Sequence, residues 1–142
     1  MRLPAGATMA YPPGWRRAQG DAGSATQVLS DAHGQLIGYL NLTSRTVTER
    51  LRTWPAFRLA HNRREHDMHL HRLAAAGGLR VGDGTGACVL DRYTTVTARQ
   101  YTEIACLVVG RRRGVVVVAA APTDAWGRIA PRLQRAVASV RT

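Results

Sequence analysis

Residues 114 to 121 read Gly-Val-Val-Val-Val-Ala-Ala-Ala, without one polar side chain. Successive residues of a strand point to opposite faces, so a strand with one wet face alternates apolar with polar. This run does not alternate. It predicts a strand covered above and below, and therefore a sheet that other elements shield on both sides.

The segments upstream support a sheet built from adjacent strands. GACVLDRYTTVT (86–97) and QYTEIACLVVG (100–110) carry strand-like patterns and are separated by short turn-like stretches. With 114–121 they predict an antiparallel meander. Downstream, Trp126, Ile129, Ala130, Leu133, Val137 and Val140 recur at helical spacing behind the cap candidates Thr123 and Asp124, with Pro131 expected to kink the first turns. This C-terminal helix is one expected cover.

The other expected cover lies before the meander. Pro55 suits a first helical position, and no Pro or Gly follows until the Gly77-Gly78 stop, which predicts a long helix. Its amphipathicity is uneven: Phe57, Ala60, Met68 and Ala75 fall on one side, and Leu59, Leu70 and Leu73 on the other. Nearer the start, ATQVLSD (25–31) and QLIGYLNLTSR (35–45) read as a hairpin turned at Asp31, His33 and Gly34, and SRTVTERLRT (44–53) as a charged connection. The fold expectation is α+β: residues 1–142 as a single α/β/α sandwich, an antiparallel sheet of about six strands with the long helix on one face and the C-terminal helix on the other.

A chain of 142 residues fits one domain and can bury a core without staples. No run approaches the roughly 18 apolar residues of a membrane-spanning helix, and MRLPAGATMA at the start lacks the long apolar stretch of a secretory signal, which suits a cytoplasmic protein or a trimmed mature portion. All 20 basic residues are arginines against 9 acidic ones, for a formal net charge of +11. Such a balance attracts phosphate-rich polymers, anionic headgroups or acidic proteins. The total absence of lysine equally suits a GC-rich coding sequence.

YPPGW (11–15) places Pro13-Gly14 at the two centres of a type II turn, where proline sets φ and glycine accepts a positive one. The turn would close a short first strand and send Trp15 onto the sheet as a core residue. This corner, followed by a hairpin, a helix, a three-stranded meander and a final amphipathic helix, resembles the PsbP-like superfamily over nearly the whole chain. That superfamily includes actinobacterial secreted or lipid-anchored proteins of the LpqN type. The resemblance implies a binding or assembly module of the bacterial cell envelope, extracytoplasmic, without catalysis or a cofactor, and it carries over no catalytic residue. The chain departs from the anchored members in lacking a signal and a lipidated cysteine near its start.

Cys88 and Cys106 lie on consecutive strands, and both a cross-strand bridge and two buried thiols fit those positions. The oxidising compartment implied by the resemblance favours the bridge. Four of the five histidines crowd into HNRREHDMHLHR, where His61, Glu65 and His69 would stack on one face of the expected helix. The HExxH pattern of catalytic zinc is missing, so no metal is expected. Arg111, Arg112 and Arg113 should form a hairpin tip able to grip anionic groups on a partner, or simply to stay hydrated. Gly82, Gly84 and Gly86 enter a strand instead of opening a helix, which excludes a dinucleotide loop. No serine sits in a GxSxG elbow, and the carboxylates show no acid/base pair. The expectation is therefore no enzyme.

Two functions follow. The first is the envelope module, which docks to an envelope protein complex or binds an amphiphilic ligand in a groove lined by Trp15, Tyr39, Trp54 and Phe57. The second is a basic nucleic-acid-binding protein, against which the arginines are dispersed and aromatic stacking positions among them are not evident.

Overall fold

In the computed structural model, which describes residues 1–142, the apolar run forms the middle of the sheet. Strands β1 (Arg16–Ala18), β2 (Ala25–Ser30), β3 (Leu36–Ser44), β4 (Met68–Val81), β5 (Gly84–Thr94), β6 (Gln100–Val109) and β7 (Gly114–Pro122) make one antiparallel sheet, in the order β1-β2-β3-β7-β6-β5-β4. β7 is thus the central strand, and Val115 to Ala121 are all buried. Its odd-numbered and even-numbered residues enter two different cores, as the two-residue period of a strand requires.

The two faces are unequal. Helix α2 (Trp126–Ala138) lies over the face that carries Val115, Val117, Ala119 and Ala121, and a core of 19 buried residues fills that side. The other face has a core of only 7 buried residues, gathered around Trp54 on the short helix α1 (Trp54–Arg64). Pro131 stays inside α2, whose N-terminus at Ala125 makes no side-chain cap.

The sandwich with a long helix on one face is not what the chain builds. The helices have 11 and 13 residues, and the sheet has seven strands instead of about six. α1 stops at Arg64, with Glu65 as its C-cap, and His66 takes a left-handed φ of 65° that no helix continues through. From Met68 the chain becomes a 14-residue edge strand along β5. Helix propensity is a weak prior. Without β4 the outer backbone groups of β5 would lack partners, and pairing them outweighs the helical preference of Leu73 to Ala76. Three register shifts interrupt the β4–β5 ladder, between Met68 and His71, Arg72 and Ala74, and Ala76 and Leu79.

The rest of the chain keeps closer to its sequence pattern. β2 and β3 form the hairpin, closed by Gly34 at φ 77° and by Asp31 Oδ1, which accepts from the amides of His33 and Gln35. Gly14, at φ 85°, provides the turn of YPPGW. No strand precedes that turn: residues before it make only isolated bridges, Arg2 to Thr8 and Thr8 to Arg141, and β1 begins after Trp15. No helix is long and apolar enough to cross a membrane.

Candidate functional site

The thinner face leaves space. Between α1 and the even-numbered side of β7 opens a cleft of about 540 Å³, within the usual range for small-molecule sites. Its wall is aromatic: Tyr39 from β3, Trp54 and Phe57 from α1, Tyr93 from β5 and Tyr101 from β6. Trp54 and Phe57, one helical turn apart, stack with centroids 5.9 Å apart, and Trp54 Nε1 donates to the Ala105 carbonyl at 2.9 Å. That bond pins the start of α1 to the middle of β6. Tyr93 and Tyr101 face each other across β5 and β6 and stack at 6.2 Å.

The floor is polar and tightly bonded. Glu103, buried at 1% exposure, accepts at Oε1 from Arg58 Nε at 2.7 Å and from the second guanidinium nitrogen at 2.7 Å. Its Oε2 accepts from the Tyr93 hydroxyl at 3.2 Å. Burial works against the Arg58 charge, but the attraction and hydrogen bonds of Glu103 outweigh it and raise the guanidinium pKa further. Burial and the neighbouring Glu103 charge both raise the pKa of Tyr93, so its phenol stays protonated and donates.

Asp91 stands directly opposite Glu103 in the β5–β6 register, so two carboxyl groups share this sheet face. Asp91 is fully buried; Asn62 Nδ2 reaches its Oδ2 at 3.4 Å, and its Oδ1 has no partner. Desolvation, with Glu103 second, pushes the Asp91 pKa up to about 7. Asp67, just beyond α1, is pushed up to about 6 by the same two causes in the same order. Desolvation and then the Arg58 charge lower the pKa of His61, leaving its imidazole neutral at pH 7.

The residues singled out in the sequence scatter. Tyr39, Trp54 and Phe57 come together in the cleft, whereas Trp15 is buried in the larger core on the opposite face, its ring packed over Gly38. Strand parity separates them: Arg16 stands opposite Val28, and Val28 opposite Tyr39, so Trp15, one residue before Arg16, turns to the α2 face. Cys88 and Cys106 are bonded to each other across β5 and β6, on the α2 face. Arg111, Arg112 and Arg113 are exposed in the β6–β7 turn, with the Arg113 guanidinium close to Gly6. His61 lies on α1, Glu65 caps it and His69 sits on β4, so the three do not share a helical face, because the helix they needed ends at Arg64.

Arg58, Asp91, Tyr93 and Glu103 are the residues that pattern reading missed, and a signal for them existed. A register that sets Cys88 opposite Cys106 also sets Asp91 opposite Glu103 and Tyr93 opposite Tyr101. The odd offset from the cysteines then turns both pairs to the other face of the sheet.

The chain matches no family model and no curated protein. Solved structures do match. A Pseudomonas aeruginosa protein of unknown function, PA94, superposes with a TM-score of 0.65 over 96% of each chain at 8% identity. LpqN of Mycobacterium tuberculosis, involved in cell envelope biogenesis, superposes with a TM-score of 0.58 over 95% of this chain and 82% of its own at 11% identity. The fold is shared with LpqN. A Bacteroides thetaiotaomicron structure matches at a TM-score of 0.56 and 15% identity, over 96% of this chain and 44% of that one. At these identities the likeness is one of fold.

Proposed function

We propose that the chain is a non-catalytic, PsbP-like binding module of the bacterial cell envelope that holds an amphiphilic small molecule in the cleft between α1 and the sheet. The observation that carries this is the make-up of the cleft: five aromatic rings around a floor whose polar groups already bind one another. An apolar body would lie against Trp54, Phe57 and Tyr39, and a polar end would meet the carboxylate rim. Glu103 uses both oxygens on Arg58 and Tyr93, an arrangement that holds walls together better than it moves protons. The fold shared with LpqN supports an envelope role, and the Cys88–Cys106 bond supports an oxidising compartment outside the cytoplasm. The nucleic-acid alternative draws on net charge alone, and no aromatic platform flanked by arginines accompanies it.

Titration with the neutral fluorophore N-phenyl-1-naphthylamine tests this. Saturable binding at a single site is expected, weakened at least about tenfold by Thr43→Phe, which fills the cleft from β3 where Thr43 makes no side-chain hydrogen bond. Absence of saturable binding, or identical binding by a folded Thr43→Phe variant, would sink the proposal.

A further inference from the structure

The cleft runs against the charge of the molecule. Asp21, Glu49, Glu65 and Glu103 line it, four of the nine carboxylates in the chain, while Arg58 is the one arginine of twenty that does so. Arg58 is already committed to Glu103. The rim carboxylates of Asp21 and Glu65 make no side-chain hydrogen bond or ion pair, and both residues are exposed. Glu49 accepts from the Thr46 amide at 2.7 Å but has no cationic partner. On a protein with a formal charge of +11, the one large aromatic concavity is therefore its acidic place.

We infer that the ligand of this cleft carries a positively charged head, a protonated amine or a quaternary ammonium, on an apolar body. The inference rests on the proposed amphiphile-binding role and names the chemistry of the ligand. Aromatic faces attract cations through their quadrupoles, and Trp54, Phe57 and Tyr39 line the cleft together. Rim carboxylates add a direct attraction. Of the arginines outside the lining, Arg45 comes close, its Nε donating to the Glu49 backbone carbonyl at 2.8 Å and not to the carboxylate, while charges beyond about 8 Å are largely screened at physiological salt. An anionic head would find its only lining guanidinium taken by Glu103, and would bind the exposed arginines outside instead.

The test compares octyltrimethylammonium, octyl glucoside and octyl sulfate, each below its micelle concentration, by calorimetry and by amide chemical-shift mapping on the full chain. The apolar tail is constant and only the head changes. The expected order in the cleft is cation tightest, neutral sugar next and sulfate weakest, opposite to the order that net charge alone would impose. The double variant Asp21→Asn, Glu65→Gln removes two exposed rim charges without removing a hydrogen bond. It should weaken the ammonium ligand by a factor of about two to five per charge and leave octyl glucoside unchanged. If octyl glucoside binds in the cleft as tightly as the ammonium, or the double variant leaves the ammonium unaffected, the cationic head is wrong and the amphiphile site stands. If all three perturb only amides outside α1, β3, β5 and β6, the amphiphile site itself falls.

Discussion

Asp91 is held against its ordinary chemistry. Its carboxyl is fully buried beside Glu103, and desolvation together with that neighbour pushes its pKa from 3.8 to about 7. The folded protein therefore keeps a proton that the unfolded chain releases near pH 4, so Asp91's contribution to stability is full below that pH and is lost as pH rises to about 7. Asp67, raised to about 6, acts in the same direction. His61, whose pKa is lowered by burial, acts oppositely, so the informative quantity is the difference between the protein and an Asp91→Asn variant. Asparagine cannot ionise and keeps an acceptor for Asn62. In urea titrations the variant should be more stable than the parent at pH 8, by up to about 4 kcal/mol, with the gain gone at pH 4. A gain that does not depend on pH would mean that Asp91 is not protonated by burial. At this scale the sequence displayed Asp91 and Glu103 as scattered acids, because position along a chain does not reveal which residues face each other; only the strand register does.

Pairing explains where element prediction succeeded and where it failed. The strand β7 was legible because seven consecutive apolar residues admit a strand buried on both sides. β4 was not, because Leu73 to Ala76 are good helix formers and the pattern upstream of them is indistinct. The legible sign was further on: Gly82 and Asp83 form a two-residue turn, with Val81 paired to Gly84, which obliges a strand to precede β5. That turn is anchored from the far end of the chain. The Asp83 amide donates to the Val140 carbonyl at 3.3 Å, and the Asp83 carboxylate accepts from the Thr142 amide at 2.9 Å. Gly82 has φ 59°, and a Cβ there would run into the Val140 carbonyl. Gly82→Ala should thus strain the turn and lift the hairpin from the end of α2, costing about 2–3 kcal/mol. Thermal denaturation measures this, and a loss under half a kilocalorie would show that the hairpin is not docked there.

The whole molecule is a sheet whose two faces do different work, and the β5–β6 ladder is where they meet. On the α2 side Cys88 and Cys106 close a link across that ladder inside the larger core; on the other side, three positions along, Asp91 and Glu103 lie beneath α1. Both arrangements depend on one strand register, which sets the bond in the core and the two acids at the floor of the cleft. The two cysteines are separated by 18 residues, and removing a link of that span costs about 3 kcal/mol, through the freedom it returns to the unfolded chain. Replacing both cysteines by alanine should lower the melting temperature by about 10 °C. Because the ten-residue β5–β6 pairing and the bond from Trp54 to Ala105 persist without the sulfurs, the folded variant should bind N-phenyl-1-naphthylamine with unchanged affinity below its melting point. Equal melting temperatures for the parent and the variant would show that the link contributes nothing to stability. A large loss of affinity in a variant that is still folded would show instead that the covalent link, and not the strand pairing, holds the cleft in shape.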